Sequence, residues 1–273
     1  MIVKQSQICR HPLESSIGLP DSSYRYGGST KWYSSDTKEI FEYNISVPKS
    51  RELIEGMGWT KYNIDYDINE WGFRTVNFPD THDRDSVIAL GCSCTFGLGL
   101  PEKNTWPAYV SQEMGIMTYN LGASGMGYET NYRTLEYWLP RLKSKYVFMF
   151  VNPGTRREYF NEHADPKHFL TLGAWHLGRS KDYTEHELSM FMNEKDAKIA
   201  KSRSLWAIKG LCDYYNSKLL IVDTHEHYEG LTIDTFLGAQ HNNYDDYARD
   251  LQHPGPIHNE LLANFFVDYL NGS

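Results

Sequence analysis

The amino-acid sequence predicts an α/β fold built on a parallel sheet, and two observations carry that reading. Short apolar runs of strand length recur at 86–90, 146–151 and 218–222. Beside them, apolar residues repeat at helical spacing: Leu135, Trp138, Leu139 and Leu142; Leu205, Ile208, Cys212 and Tyr215; Leu262, Phe265, Phe266 and Tyr269. Apolar strands alternating with amphipathic helices are the pattern of a parallel sheet covered by its crossover helices.

Taken in order, the first 80 residues are rich in Tyr, Ser, Asp and Gly and show no long helical period. Trp32-Tyr33, the stretch 41–43 and the stretch 62–66 read as short strands or ordered loops. Residues 1–80 are therefore expected to form an N-terminal extension or cap, and residues 81–273 the main domain. Ser86 to Leu90, ending on Gly91, is the first buried strand. Asn104-Thr105-Trp106-Pro107 opens a helix, with a capping residue and proline in the first turn. A second strand is expected at 117–121, then an amphipathic helix that Pro140 kinks or ends. Tyr146 to Val151 is a third strand. The polar, His/Glu-rich stretch 155–200 reads as an insertion over one edge, before the helix at 205–215, the strand at 218–222 and the last helix.

Composition narrows the function classes. At 273 residues, with 40% apolar and 14% aromatic content, the chain has enough length for a core of its own and does not describe a disordered protein. A formal charge of −8, from Lys+Arg 27 against Asp+Glu 35, argues against a phosphate backbone as main partner. The four cysteines, at 9, 92, 94 and 212, make no paired CxxC and no disulfide scaffold. The opening residues lack an apolar leader, and the longest apolar run is far short of the ~20 residues that span a bilayer. The expectation is a cytoplasmic protein with no membrane and no nucleic-acid partner.

In sheets of this kind ligands bind at the carboxyl ends of the strands. After the first strand comes Gly91-Cys92-Ser93-Cys94-Thr95-Phe96-Gly97. It lacks the lysine of a phosphate-binding loop, does not fit G-x-G-x-x-G, and fails G-x-S-x-G because Thr95 stands at the last glycine. What remains is a serine two residues past a strand-ending glycine, near a helix N-terminus, where backbone N–H groups can face an oxyanion. Far downstream lies Asp250-Leu251-Gln252-His253-Pro254. A carboxylate three residues before an imidazole can fold back to orient it, and the imidazole is a base near neutrality. Each part has an ordinary reading, a turn serine or a helix cap; their conjunction makes Ser93 a nucleophile, His253 its base and Asp250 the orienting acid.

Other constellations favour plainer roles. Asp223, His225 and His227, with His258 further on, suit either a divalent metal or a polar rim loop, and the rim is preferred. A thiolate at Cys92 or Cys94 is set aside for small-residue packing under the turn. Arg133, Arg141, Lys143 and Lys145 read as a solvated helix face. The aromatics suit sugar stacking or an ordinary core.

The pattern resembles the SGNH (GDSL-type) hydrolases. Their first block is similar to Gly91 through Gly97, with Cys92 replacing the aspartate, and continues through Gly99 to Thr105-Trp106-Pro107. Asn69-Glu70-Trp71-Gly72-Phe73-Arg74 resembles an Asn-x-x-Gly-Phe-Arg segment found upstream in one branch. The second block is similar to Asn120-Leu121-Gly122-Ala123-Ser124-Gly125, and the fifth, Asp-x-x-His-Pro, to Asp250, His253 and Pro254. The third block departs: Gly-x-Asn-Asp is replaced by Val151-Asn152-Pro153-Gly154-Thr155-Arg156-Arg157-Glu158, and Asn152 lies about two positions early.

The resemblance implies a three-layer α/β/α, flavodoxin-like sandwich with an N-terminal extension. It implies ester hydrolysis through a Ser93–His253–Asp250 triad and an acyl-enzyme. The oxyanion hole it implies is formed by the N–H groups of Ser93 and Gly125 with the Asn152 side chain, or with Arg156 or Arg157 in its place. No cofactor and no metal are expected, and the substrate is a small-molecule or glycan ester, with a small acyl group on a carbohydrate preferred. The alternative is a catalytically impaired member of the same fold serving as a binding or structural protein.

Overall fold

The structure is a computed structural model that describes residues 27–79, 84–151, 156–160, 169–172, 193–223, 230, 232–235 and 245–272. A small N-terminal layer comes first: β1 (Gly28–Thr30), α1 (Lys38–Ser46), α2 (Pro48–Gly56) and β2 (Tyr66–Ile68), with β1 and β2 antiparallel. The two helices correct the reading of 41–43 as strand or loop. Thr37 caps α1 by accepting the Ile40 N–H at 3.2 Å, and Pro48 opens α2 in its first turn. Each helix buries one residue, Asn44 in α1 and Ile54 in α2, so there is no apolar stripe for periodicity to reveal.

The main sheet is built from β3 (Ser86–Leu90), β4 (Met117–Asn120), β5 (Tyr146–Val151), β8 (Lys218–Asp223) and β9 (Thr232–Thr235), in spatial order β4-β3-β5-β8-β9. Every neighbouring pair is parallel. Counted by appearance, the order is 2-1-3-4-5, the flavodoxin-like doubly wound arrangement, whose switch point lies between its first and third strands. Between the strands run the one-turn helix α3 (Ser93–Phe96), α4 (Trp106–Met114), α5 (Tyr128–Leu142) and α6 (Glu194–Tyr214); α7 (Pro256–Gly272) closes the chain. The antiparallel pair β6 (Arg157–Phe160) and β7 (Phe169–Leu172) falls within residues 155–200, and α6 already begins in that stretch, at Glu194.

Strand alternation sorts the core into two layers. Val87, Ala89, Phe148, Phe150, Leu220 and Val222 face α4 and α7, meeting Trp106, Val110, Leu262 and Phe266. Ile88, Leu90, Val147, Met149, Val151 and Ile221 face the other way, onto Leu135, Trp138 and Leu139 of α5 and Leu205 and Ile208 of α6. This is the three-layer sandwich. The Phe266 ring stacks on Phe148 at 4.9 Å, and burying such a ring contributes about 1.5–3 kcal/mol. Pro140 stands inside α5, which continues to Leu142.

A third cluster joins the N-terminal layer to the sheet: Tyr33, Ile54, Trp59, Ile64 and Tyr66 pack with Phe96, Leu98, Leu100 and Ala248. At its centre the buried Arg74 guanidinium donates to the carbonyls of Asp65, Gly97 and Leu100 at 2.7–3.0 Å and lies 4.4 Å over the Tyr66 ring. Burial holds its pKa below the usual guanidinium value, so the carbonyl cradle is what makes the charge tolerable there. Arg133, read from sequence as solvated, is instead buried and pairs with Glu158 at 2.8 Å, tying β6 to α5. No described helix is long and apolar enough to cross a membrane.

Candidate active site

Ser93 owes its position to the end of β3. Gly91 has φ 153, and a Cβ there would collide with the Thr95 hydroxyl and come 2.9 Å from the Phe150 carbonyl. Only glycine lets the chain turn so tightly against β5. Ser93 then opens α3, its carbonyl accepting the N–H groups of Gly97 at 2.9 Å and Leu98 at 3.1 Å. Asn120, at the end of β4, staples the next loop to this turn. Its amide donates to the Thr95 carbonyl at 2.8 Å while its oxygen accepts the Gly122 N–H at 3.0 Å. Gly125 follows in a turn at φ 79.

The loop that carries Asp250 and His253 lies between Asp246 and Gly255. The His253 carbonyl accepts the Ala248 N–H at 2.9 Å, and Leu251 sits at φ 56, in the left-handed region. That reversal brings His253 back over Asp250. Asp250 Oδ1 accepts the N–H groups of Gln252 at 3.0 Å and His253 at 3.2 Å, and Oδ2 meets His253 Nδ1 at 2.7 Å. With Nδ1 engaged by the carboxylate, Nε2 is the ring nitrogen left for a substrate-side proton. Arg249 N–H donates to the Gly99 carbonyl at 3.0 Å. Gly99, at φ 72, has no room for a Cβ, which would lie 2.9 Å from the Arg249 nitrogen. The turn that carries Ser93 and the loop that carries Asp250 and His253 are thus joined backbone to backbone.

Electrostatics supports the pair. Burial pushes the Asp250 pKa up, but the His253 hydrogen bond and charge, the Ser35 hydroxyl and the Gln252 N–H bring it below its ordinary value. Burial pushes His253 down, and the Asp250 hydrogen bond and charge overcome it, aided by Cys92 and opposed by Arg156, so the net shift is upward. The Ser93 hydroxyl contacts the Cys92 thiol at 3.4 Å. The Ser93 Oγ–His253 Nε2 hydrogen bond is not formed among the described residues. Cys92 is buried, which raises its pKa, yet the Cys94 thiol and the Arg156 guanidinium hold it well below the ordinary thiol value, and Cys94 moves up in response.

Of the candidates for oxyanion support, Asn152 lies outside the described residues. Arg157 is paired with Glu129 at 2.8 Å. Arg156 lines a narrow recess with Gly91, Cys92, Met126 and Tyr128. His225 and His227 also lie outside the described residues, and Asp223 is buried in an ion pair with Lys201 at 2.5 Å. His258 sits in the first turn of α7 with its N–H on Asp246, and burial lowers its pKa to about 4. No group of three metal-ligating side chains occurs among the described residues.

Sequence reasoning missed the contribution of the N-terminal layer. Ser35 Oγ donates to Asp250 Oδ2 at 2.7 Å, Ser34 Oγ meets Ser124 Oγ at 2.8 Å, and Asn44 reaches the Asp250 carbonyl at 3.4 Å. Only the arginine adjoining Asp250 hinted at a partner. Arg249 is bound bidentately by Asp36, at 2.9 and 2.6 Å.

The arrangement is a hydrogen-bonded Asp–His pair on a loop tied by backbone to the turn after a strand-end serine, on a doubly wound sheet. No protein-family model matches the chain, and no curated protein does. Among solved structures it is similar to a member of the lipolytic protein G-D-S-L family from Veillonella parvula DSM 2008, at 14% identity over 68% of this chain and 98% of that one, with a TM-score of 0.41. It is also similar to the psychrotrophic esterase EstA from Pseudoalteromonas sp., at 13% identity over 70% and 98%, with a TM-score of 0.42. A third is the acetyl xylan esterase Est2A from the rumen bacterium Butyrivibrio proteoclasticus, at 11% identity over 72% and 66%, with a TM-score of 0.42.

Proposed function

We propose that the protein is a serine ester hydrolase of SGNH type, working through Ser93, His253 and Asp250. The observation that carries this reading is the 2.7 Å Asp250–His253 contact, on a loop fixed to Gly99 in the turn that follows Ser93. In the reaction Ser93 rotates from the Cys92 thiol toward His253, as catalytic hydrogen bonds often tighten only with substrate present. His253 Nε2 takes the hydroxyl proton as Oγ attacks the acyl carbonyl, and Asp250 stabilises the imidazolium. The N–H groups of Ser93 and Gly125, with the Asn152 side chain, receive the oxyanion. Arg156, beside Cys92, is the alternative third group. His253 returns the proton to the leaving alcohol, and water, activated by the same base, releases the acyl group. The preferred substrate class is a small acyl group on a carbohydrate.

The test is hydrolysis of aryl esters from acetyl to decanoyl by the wild type and Ser93→Ala, with fluorophosphonate labelling of both. Loss of several orders of magnitude in the variant, with labelling at Ser93, is expected. The Ser93–Cys92 contact favours a second reading, a binding or structural protein on the same fold. Folded protein with neither turnover nor labelling would select it.

A further inference from the structure

We infer that Ser35 is a positioning residue for the acid–base pair: its hydroxyl, delivered by the N-terminal layer, holds the same Asp250 oxygen that meets His253 Nδ1. The catalytic consequence rests on the serine-hydrolase reading; the contact itself does not. Both donors lie 2.7 Å from Oδ2, and Oδ1 is occupied by two N–H groups of the loop. Three of these four donors belong to the loop that carries Asp250. Ser35 is the one that comes from elsewhere in the chain, so it ties the carboxylate to something outside its own turn.

The device that delivers Ser35 is built for rigidity. Tyr33 and Asp36 exchange backbone hydrogen bonds at 3.0 Å in both directions, which leaves Ser34 and Ser35 at the tip of a tight turn. Ser34 has φ 53, a left-handed conformation that is unfavourable for a non-glycine residue and persists only when its surroundings enforce it. They do so on both flanks. Ser34 Oγ meets Ser124 Oγ at 2.8 Å, beside Gly125. Asp36 is held by Arg249 at 2.6 Å and by the Tyr66 hydroxyl at 2.5 Å. Arg249 in turn donates to the Lys31 carbonyl at 2.7 Å and lies 4.1 Å over the Trp32 ring. A turn anchored at both ends of the candidate site presents one hydroxyl to the carboxylate between them.

The chemical effect has a sign. A hydroxyl on Oδ2 draws off part of the charge that would otherwise stabilise a protonated His253. Without it the carboxylate is a stronger partner for the imidazolium and is also freer to turn. The other charged groups around the pair are Asp36 and Arg249 of the neighbouring ion pair and Cys92, Cys94 and Arg156 from the sheet side. Removing the Ser35 hydroxyl alters none of them.

The test is NMR titration of the His253 ring in the full-length wild type, Ser35→Ala and Ser35→Thr, assigned with His253→Gln, alongside the pH profile of aryl-acetate hydrolysis. Ser35→Gly deletes the same hydroxyl without new bulk and stands in if the alanine variant misfolds. In Ser35→Ala the ring midpoint is expected to rise by about 0.5–1. The acidic limb of kcat/KM should follow it and kcat should fall about tenfold, with KM little changed; the threonine variant should restore both. A His253 midpoint identical in wild type and both deletion variants would overturn the inference, even if Ser93→Ala is inactive. A shifted midpoint in a protein without turnover would uphold the Ser35 contact and overturn only the hydrolase reading.

Discussion

Each oxygen of Asp250 carries two donors, and the amide of Asp250→Asn cannot replace them. Its NH₂ would face His253 Nδ1 and force the proton onto Nε2, the wrong tautomer for a base. Turnover is expected to fall about 10⁴-fold with the fold retained, read by kcat and circular dichroism together. The same contacts set the pH behaviour. His253 titrates above its ordinary 6.5 and works as a base only when neutral, so the acidic limb of kcat/KM should have its midpoint above 6.5. Stability runs the other way. The His253 contribution is full below about 6.5 and is lost as pH rises through the raised value. The Asp250 contribution is present above its ordinary 3.8 and is lost as pH falls through the depressed value. Urea midpoints across that range, in wild type and His253→Gln, check the sign. The place of Ser93 after its strand and the Asp250–His253 contact could be read from sequence, because a strand-ending glycine marks the first and a three-residue spacing the second. Ser35 could not, since a contact spanning 215 positions leaves no local pattern.

At the scale of elements, readability followed the amount of apolar surface each one buries. The main-sheet strands before β9 and the helices α5 and α6 announce themselves because whole faces are buried. The first two helices have no such face and rest on a threonine cap and a proline. The last helix offers a direct test of capping. Asp246 accepts the N–H groups of Ile257 at 3.2 Å and His258 at 2.7 Å at the start of α7. Asp246→Ala should cost about 1–2 kcal/mol in denaturant unfolding. It should also loosen the loop that carries His253, since the Asp246 carbonyl accepts the Gly255 N–H at 3.1 Å at the loop's far end.

For the whole molecule, the Asp36–Arg249 pair is the main polar joint between the N-terminal layer and the sheet. Both side chains are buried, at 1% and 5% exposure, so removing one partner strands a charge. Asp36→Asn is expected to destabilise the protein by about 3–5 kcal/mol. Because the shared apolar cluster spans both parts, tryptophan fluorescence and far-ultraviolet circular dichroism should report a single, coincident transition at lower denaturant. A separate early transition of the N-terminal layer would contradict that coupling.

The backbone joint between Gly99 and Arg249 also orders events during synthesis. The ribosome delivers Ser93 and its turn long before Asp250 and His253. At ordinary elongation rates the wait is roughly ten to thirty seconds. Throughout that interval Ser93 stands without its proposed base. A chain interrupted before residue 250 therefore holds the Ser93 turn without the Asp250–His253 pair that the proposed mechanism requires.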